Sequence, residues 1–424
     1  MQRRTFIKAG GAGVAAASIA ACAGIGGMAR AKVLVIGGGY GGATAAKYLS
    51  MWSRGAIDVT LVEPGANFVS CPLSNLVLGG SRQMDEITVS YRNLTSRHGI
   101  RVVRDSAQAI DLNARKLTLA GGEVLSYDRL ILSPGVDFIW DDLSGMQAAD
   151  ASEKILHAWK AGPQTLALRR QLEAMPDGGT FVISIPLAPF RCPPGPYERA
   201  CQAAHYFSLA KKKSKVLILD ANDDVLSKGA LFKKAWASLY PGMIEYRPKF
   251  NVAAVDVATR TLISDFDDKV SASVLNLIPP QRAGNIAVQS GLANMNRRWC
   301  EVDFLTLEST QARHVHVLGD AIQFAPLMPK SGHMANQHAK VCAAAVIDLL
   351  GDRTPSQTPV MNNTCYSFVS DKEAVHVASV HVYDAEKKTM LVVPGSGGLS
   401  EGPSIEEGRH GMDWARNIWA DSLA

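Results

Sequence analysis

A stretch between residues 32 and 63 constrains the fold of this chain more than any other feature. A short apolar run, typical of a buried parallel strand, leads into a glycine-rich turn and then a helix-forming run. The turn carries Gly37, Gly39 and Gly42 at the spacing G-x-G-x-x-G, which allows a tight turn and close approach of a pyrophosphate to the backbone. A second apolar run ends at Glu63, whose carboxylate is suited to ribose hydroxyls. The stretch predicts a Rossmann-type unit that binds a dinucleotide at the helix N-terminus.

Residues 1–31 are typical of an export signal. Arg3 and Arg4 begin a twin-arginine pattern, a weakly hydrophobic Ala/Gly run follows, and an A-x-A cleavage motif ends at Ala31. The run has too few Leu, Ile and Phe residues to predict a membrane span. Cys22 lies in a sequence that resembles a lipoprotein cleavage box, so lipidation there is the alternative. We expect export by the twin-arginine route to the periplasm, with the cofactor already bound.

Charge and cysteine content argue against several functions. The formal net charge of the 424 residues is +5, and it falls to +1 once the four basic residues of the leader are removed. This balance does not favour a nucleic-acid-binding protein. None of the seven cysteines lies in a C-x-x-C or C-x-x-C-H pattern. We therefore expect neither a metal site nor a covalently bound c-type haem on this chain.

A second Rossmann-like unit is predicted in residues 146–282. After a predicted helix at 152–175, a strand at 178–185 leads into residues 186–196, which are rich in proline where a nicotinamide-binding unit has its glycines. Because proline fixes φ and lacks an N–H donor, this loop cannot cradle a pyrophosphate. Residues 198–220 again predict a helix and a strand. The unit is therefore expected to keep the fold and to have lost NAD(P)H binding.

The chain then returns to the first unit. A predicted strand ends at Asp320, which is placed like the acid that reaches the ribityl chain in flavoproteins with two dinucleotide domains. Lys330, Ser331 and Gly332 precede a predicted helix at residues 333–350, whose N-terminus we expect to face the flavin ring. The expected dinucleotide is therefore FAD.

The predicted fold class is α/β, with two Rossmann-like dinucleotide-binding domains and a small α+β C-terminal domain. The FAD-binding domain is discontinuous and is expected to consist of residues 32–145 and 283–353. The second domain covers residues 146–282, and the C-terminal domain covers residues 354–424.

The mature chain resembles the flavoprotein subunit of flavocytochrome c sulfide dehydrogenase, a family related to the sulfide:quinone oxidoreductases and to the glutathione reductase fold. The most specific segment surrounds Cys192 and has the sequence Ala-Pro-Phe-Arg-Cys-Pro-Pro-Gly-Pro-Tyr-Glu-Arg. The segments that carry the resemblance are residues 37–48, 71–75, 188–199, 279–284, 329–332 and 363–367.

The resemblance implies roles for four residues. It implies that Cys71 forms a thioether to FAD, and that Cys192 and Cys365 form a redox-active disulfide beside the flavin. The alternative for the pair is an ordinary structural disulfide. The resemblance also implies an active-site role for Glu198, whose alternative is a carboxylate stabilised at a helix start by the helix dipole.

We therefore expect an exported FAD-dependent sulfide dehydrogenase. Hydrosulfide would attack the Cys192–Cys365 disulfide, and the electrons would pass through FAD to a separate c-type cytochrome subunit. The alternatives are a sulfide:quinone oxidoreductase and a non-catalytic flavin-binding partner of a cytochrome complex. No stable membrane span is expected in the mature chain.

Overall fold

The computed structural model describes residues 30–147 and 150–424. The predicted signal peptide, with Cys22 and the twin-arginine pattern, lies outside the described residues apart from Arg30 and Ala31. Within the described ranges, no helix combines the length and the apolar content that crossing a bilayer requires.

The first region covers residues 31–138 and alternates strands and helices. Its elements in chain order are β1 (Ala31–Ile36), α1 (Tyr40–Trp52), β2 (Ile57–Val62), β3 (Asn67–Val69), α2 (Ser74–Gly79), a 3₁₀ turn (Asp85–Ile87), β4 (Thr88–Ser90), α3 (Arg92–Ser96), β5 (Arg101–Val103), β6 (Ala107–Asp111), β7 (Lys116–Leu119), β8 (Val124–Ser126), β9 (Arg129–Leu132) and β10 (Val136–Phe138).

The elements of the second region lie in residues 151–277. Its elements are α4 (Ala151–Lys154), α5 (Pro163–Ala174), β11 (Thr180–Ile185), α6 (Gly195–Ala210), β12 (Lys215–Asp220), α7 (Gly229–Leu239), β13 (Ile244–Arg247), β14 (Val252–Asp256), β15 (Thr261–Ser264), β16 (Lys269–Ser271) and β17 (Val274–Leu277). The predicted helix at 152–175 is wrong in its middle. The helical path stops after Lys154 and resumes at Pro163, because Gly162 has a φ of 142° and proline favours the first helical position.

The chain then re-enters the first region and ends in a third. The remaining elements are β18 (Gln281–Ala283), α8 (Asn285–Gln289), β19 (Val315–Val317), a 3₁₀ turn (Gly319–Ala321), α9 (Gly332–Leu350), β20 (Val360–Phe368), β21 (Ala374–Asp384), β22 (Thr389–Val392), β23 (Gly398–Leu399) and α10 (Ile405–Leu423). β10 pairs with β18, so the strands that leave and re-enter the first region lie side by side.

Two parallel sheets form the frame of the molecule. The first has the order β19-β9-β1-β2-β5, and the second has the order β13-β12-β11-β17. All neighbouring strands in both sheets run parallel. Their central strands are fully buried, as Val33 and Ile183 illustrate. Parallel sheets covered by helices are the α/β architecture predicted from the sequence, and the fold class is confirmed.

The third region packs on the first through α10. The Lys47 ammonium on α1 donates to the carbonyls of Ala420 and Asp421, at 2.9 and 3.0 Å. The Tyr48 hydroxyl donates to the Asp421 carboxylate at 2.5 Å. These contacts hold the third region against the helix that follows the glycine-rich turn.

Candidate active site

A cleft lies where the three regions meet. It encloses about 1330 Å³, part of it open to solvent. The turn after β1, the loop before α2, the turn after β11, the N-terminus of α9 and strand β20 all line it. The candidate residues that line it are Gly39, Cys71, Cys192, Glu198, Asp320, Lys330, Ser331, Gly332 and Cys365. Residues predicted from distant parts of the sequence therefore share one cavity.

The turn after β1 has the geometry that a dinucleotide cradle needs. Gly37 has a φ of +93°, and a Cβ on Gly42 would lie 1.7 Å from the Gly37 carbonyl oxygen. A Cβ on Gly39 would meet nothing within 4 Å, which leaves space for a pyrophosphate beside the backbone. α1 begins at Tyr40, inside the glycine-rich turn and earlier than expected, and has no acidic residue in its first turn. Its N-terminal N–H groups can therefore bind phosphate.

Glu63 lies immediately after β2. Its two carboxylate oxygens accept the N–H groups of Gly38 and Gly65, each at 2.7 Å. The residue is half-buried, and each oxygen keeps a lone pair for a ribose hydroxyl. The Tyr91 hydroxyl donates to the Gly38 carbonyl at 2.9 Å and holds the turn from the other side. The geometry suits the ribose-binding role, which stays a prediction.

Asp320 and the N-terminus of α9 form the opposite wall. The Asp320 Oδ1 atom is buried and has no hydrogen-bond partner among the described residues. Because an unpaired buried oxygen is costly, this atom fits a ligand hydroxyl such as one of the FAD ribityl chain. Ser331 caps α9, and a Cβ on Gly332 would lie 2.8 Å from the Tyr40 ring. The helix end therefore packs tightly beside the glycine-rich turn.

Lys330 joins two loops of the cleft. Its ammonium donates to the carbonyls of Asp320, at 2.9 Å, and Ile322, and lies 4.0 Å from the centre of the Trp299 ring. Burial lowers the pKa of Lys330 to about 7. Its carbonyl accepts the Cys192 N–H at 2.9 Å. The residue therefore connects the loop before α9 to the turn after β11, and its predicted contact with the cofactor stays untested.

Cys71 lies half-buried in the cleft, between β3 and α2. Its sulfur accepts a hydrogen bond from Arg191 Nη2 at 3.4 Å. Arg191 also lies 3.8 Å from the Asp320 carboxylate and donates to the Trp159 carbonyl. Burial opposes the charge of this guanidinium, but the neighbouring Cys71 and Asp320 groups raise the pKa of Arg191. The cleft therefore holds a firmly cationic group beside the predicted flavin-linked cysteine.

Cys192 and Cys365 reach the cleft from different regions. Cys192 lies in the turn after β11 with a φ of 54°, an uncommon conformation for a residue with a side chain. Cys365 lies on β20, opposite Val377 of β21. Burial, followed by the charges of Cys365 and Glu198, raises the pKa of Cys192. The two sulfurs are therefore electrostatic neighbours. Both are thiols in this structure, and the predicted disulfide stays a prediction.

The Glu198 carboxylate connects all three regions. One oxygen accepts the Phe368 N–H at 2.7 Å, and the other accepts the Asn75 amide at 2.9 Å. Burial raises the pKa of Glu198. The residue lies in the first turn of α6, as the helix-start alternative supposes, but its bonds reach β20 and α2. It therefore helps to hold the strand of Cys365 against the helix that follows Cys192.

Two buried cations near the cysteines were not predicted. The Lys228 ammonium donates to the Cys365 carbonyl at 2.8 Å and to the Ser367 hydroxyl at 2.7 Å. The Arg199 guanidinium donates to the Asn75 side chain at 3.1 Å, and burial lowers the pKa of Arg199 to about 10. Arg199 directly follows Glu198 in the segment that carries the most specific resemblance, so the sequence could have indicated that Arg199 lies near the site. Lys228 lies in a loop without a motif, so only the fold reveals its place.

Asp220 lies at the end of β12, the position that corresponds to the end of β2, and its carboxylate is not accessible to solvent. Asp220 is fully buried and accepts hydrogen bonds from the hydroxyls of Tyr197 and Tyr246, at 2.6 and 3.1 Å. It also accepts the Asn222 amide at 2.7 Å, and Asn222 donates to the Pro186 carbonyl at 3.0 Å. A ribose has no access to this carboxylate, which supports the predicted loss of NAD(P)H binding.

Three family models match the chain. Residues 165–279 match the central part of the sulfide dehydrogenase (flavocytochrome c) flavoprotein chain, and residues 357–423 match the flavin-binding part of flavocytochrome c sulphide dehydrogenase. Residues 31–170 match the pyridine nucleotide-disulphide oxidoreductase model. The flavin-binding match agrees with the geometry of the cleft, and together they indicate FAD as the cofactor.

Individual proteins are also similar to this chain. The sulfide dehydrogenase flavoprotein chain of Chlorobaculum thiosulfatiphilum is 56% identical over 46 residues, which are 11% of this chain and 94% of that sequence. The mitochondrial sulfide:quinone oxidoreductase of Mus musculus is 24% identical over 305 residues, which cover 68% of this chain and 65% of that protein. The chain thus spans about 65% of the length of this relative.

A solved structure shares the fold. The sulfide:quinone oxidoreductase of Aquifex aeolicus superposes with a TM-score of 0.76, at 17% sequence identity, over 92% of this chain and 91% of that chain. At this identity the likeness concerns the fold alone.

Proposed function

The chain belongs to the family of flavocytochrome c sulfide dehydrogenase flavoprotein chains, and from this membership we propose that it is an exported FAD-dependent sulfide dehydrogenase. One observation carries the proposal. Cys192 and Cys365, from separate regions, line the cleft that also contains Cys71 and the predicted FAD contacts. The turn that would meet a nicotinamide in a related fold presents a cysteine instead, so a redox-active cysteine pair takes the place of the nicotinamide and passes electrons from sulfide to the flavin.

The proposed reaction begins with Cys192 and Cys365 joined as a disulfide. Hydrosulfide attacks one sulfur and forms a persulfide, and the other cysteine leaves as a thiolate. FAD, when bound, accepts electrons in pairs and releases them singly. Arg191, between Cys71 and Asp320, provides positive charge that favours an anionic substrate in the cleft.

Replacing either cysteine tests the reaction. Cys192→Ser and Cys365→Ser should each fold and keep FAD, because Gly39, Glu63 and Asp320 are unchanged. Each should lose sulfide-dependent reduction of cytochrome c by about a thousandfold, and the double variant should lose no more than either single variant, since the two act as one unit. Cys201→Ser, which removes a buried cysteine outside the cleft, is the matched control. Normal sulfide turnover in either single variant would mean that the pair is only structural.

The proposal includes covalent attachment of FAD through Cys71. The sulfur lies in the cleft beside Arg191, and the family resemblance implies a thioether at this position. After denaturation in acid, the yellow colour should stay with the polypeptide, and Cys71→Ser should release it. Complete release of FAD from the unaltered protein would rule out the attachment.

The proposed electron acceptor is a separate c-type cytochrome subunit. His333, Tyr366 and Trp414 form a wall shared by the cleft and a groove on the surface, which offers a path from FAD to a docked partner. The similarity to sulfide:quinone oxidoreductases favours a quinone as the second candidate. Sulfide-reduced protein should be reoxidised rapidly by cytochrome c under anaerobic conditions and slowly by a soluble quinone. The opposite order would favour the second candidate.

Export by the twin-arginine route is also part of the proposal. It is supported by Arg3, Arg4 and the A-x-A motif that ends at Ala31. The periplasmic protein should begin at Lys32 and contain FAD, and replacing both arginines by lysine should keep the precursor in the cytoplasm. A precursor that is still exported after that change would exclude this route.

A further inference from the structure

We propose that Lys228 stabilises the thiolate of Cys365, so that hydrosulfide attacks Cys192 and Cys365 is the sulfur that leaves. This inference rests on the proposed function, because it concerns the direction in which the disulfide opens. Lys228 lies in the loop before α7 of the second region, whereas Cys365 lies on β20 of the third. The fold brings the two together across the boundary between these regions.

The Lys228 ammonium is buried against Cys365. The residue is only 5% exposed, and its Nζ lies 3.7 Å from the Cys365 sulfur. Nζ also donates to the Cys365 carbonyl at 2.8 Å and to the Ser367 hydroxyl at 2.7 Å. These two bonds fix the ammonium beside the sulfur, and a cation at this distance favours a thiolate over a thiol.

The charge of this ammonium is not balanced by a salt bridge in the described part of the chain. Among residues 30–147 and 150–424, no Asp or Glu forms a salt bridge with Lys228. Glu198 lies in the same cleft and interacts electrostatically with Lys228, but its two oxygens accept hydrogen bonds from Phe368 and Asn75 and not from the ammonium. A buried ammonium without a salt-bridge contact is costly, so a negative charge on Cys365 would relieve this site.

Cys192 has a different environment. Burial raises the pKa of Cys192, and the charges of Cys365 and Glu198 raise it further, whereas the charges of Arg191 and Lys228 lower it. Its neighbour Arg191 donates to the Cys71 sulfur, at 3.4 Å. Among the described residues, Lys228 donates to the Cys365 sulfur, and no cation donates a hydrogen bond to the Cys192 sulfur. A negative charge released by the pair is therefore held by a direct contact on Cys365, and the sulfur with the more stable thiolate is the better leaving group.

The step balances without another reactant. The hydrosulfide sulfur forms a bond to the Cys192 sulfur and keeps its proton, which gives a Cys192 persulfide. The disulfide bond breaks, and its electron pair goes to Cys365 as a thiolate. The incoming sulfur is oxidised, and the Cys365 sulfur is reduced. The thiolate then lies beside Lys228, inside the cleft.

The first test measures the thiolate directly. In the reduced holoprotein, alkylation of Cys365 by iodoacetamide is followed by peptide mass spectrometry as a function of pH. Lys228→Gln should shift the reaction to higher pH and slow it about tenfold at neutral pH, as expected for loss of an adjacent cation. Lys228→Arg should restore most of the rate. Lys233→Gln is the matched control, because Lys233 is an exposed lysine on α7 that pairs with Asp224. An unchanged profile in Lys228→Gln overturns the proposal.

A second variant tests the same idea with less disturbance of the fold. Ser367→Ala removes one of the two groups that hold the ammonium and leaves the charge in place. Its alkylation profile should move in the same direction as that of Lys228→Gln, but less. A shift in the opposite direction contradicts the proposal, even if Lys228→Gln does not fold.

The second test locates the persulfide. The oxidised protein is mixed anaerobically with one equivalent of sulfide, blocked with an alkylating reagent and digested. The extra sulfur atom should be on the Cys192 peptide, and a persulfide on Cys365 overturns the leaving-group order. A wild-type protein without a Cys192–Cys365 disulfide overturns the proposed function instead. If the disulfide is present but Lys228→Gln does not change the alkylation of Cys365, the proposed function still holds. The proposed role of Lys228 is then wrong.

Discussion

The turn after β1 and the turn after β11 occupy corresponding positions in two parallel sheets, between a buried strand and the helix that follows it. In the first, Gly39 leaves open space and α1 begins at once, so the helix end is available to a phosphate. In the second, prolines extend the turn, and it presents Cys192 to the cleft. The comparison teaches that one position of this fold can hold either a nucleotide cradle or a reactive sulfur, depending on whether the turn offers N–H groups.

The strands that follow show the same contrast. Glu63 after β2 is half-buried, and its oxygens accept the N–H groups of two backbone positions. Asp220 at the end of β12 is fully buried under Tyr197 and Tyr246. We therefore propose that Glu63 binds ribose in the first unit. Asp220, at the corresponding position of the second unit, stabilises the core instead.

Among the changes that test this comparison of the two units, the largest effect is expected from filling the space at Gly39. Gly39 has a φ of −70°, so Gly39→Ala should fold, but its Cβ would occupy the pyrophosphate space. Measured in a Cys71→Ser background, FAD affinity should fall about 100-fold, as expected for the loss of two charge-assisted hydrogen bonds of about 1.5 kcal/mol each. Gly229→Ala, at the start of α7 in the second unit, should leave FAD affinity unchanged. Equal affinities for the two variants would contradict the assignment of the cradle.

The two acids should respond differently to loss of charge. Glu63→Gln should weaken FAD binding about tenfold, because one charge-assisted hydrogen bond to ribose is lost. Asp220→Asn should leave FAD affinity unchanged but lower the free energy of unfolding by about 2–4 kcal/mol, since it disturbs a buried hydrogen-bond network. Titration with FAD and unfolding in urea measure the two quantities. A loss of FAD affinity in Asp220→Asn would contradict the proposal that Glu63 binds the cofactor whereas Asp220 only stabilises the fold.

A lower pH should reduce the stability of the core that supports the glycine-rich turn of the first unit. Burial lowers the pKa of His316 from 6.5 to about 4 and that of His338 from 6.5 to about 3. Below pH 6.5 the unfolded chain therefore binds more protons than the folded protein, and the free energy of unfolding falls as the pH falls towards these values. We expect each histidine to contribute a loss of about 1–2 kcal/mol near pH 5.

Urea unfolding at several pH values measures this dependence. His338→Gln should make the curve less steep, whereas His410→Gln, at an exposed position on α10, should not change it. A wild-type stability that stays constant between pH 7 and 5 would show that these histidines are not buried as neutral groups.

The smallest effect is expected from reduced nicotinamides. The turn after β11 lacks the donors for a pyrophosphate, and Asp220 is closed to ribose. NADH and NADPH should therefore leave the flavin absorption band unchanged under anaerobic conditions, while sulfide bleaches it. Rapid, stoichiometric bleaching by either nicotinamide would show that the second unit still binds a dinucleotide.

Features fixed by local sequence were predictable. The glycine spacing located the first turn, and the prolines after β11 located its altered counterpart, because φ and N–H donors are properties of single residues. The interruption between α4 and α5 was missed, although Gly162 and Pro163 signal it. Lys228 and the burial of Asp220 could not be predicted, because they depend on contacts between distant parts of the chain. The pairing of Cys192 with Cys365 was predicted from the family resemblance and not from their spacing. The fold then places both residues at one cleft.

The most direct test of the central claim is a peptide map of the purified, unreduced holoprotein. The account predicts that the peptides containing Cys192 and Cys365 are joined by a disulfide, while Cys201, Cys300 and Cys342 are recovered as free thiols. Addition of sulfide under anaerobic conditions should open this bond and reduce the flavin in the same time course. Cys192 and Cys365 recovered as free thiols in the oxidised protein, or a bond that survives while sulfide reduces the flavin, would contradict the account.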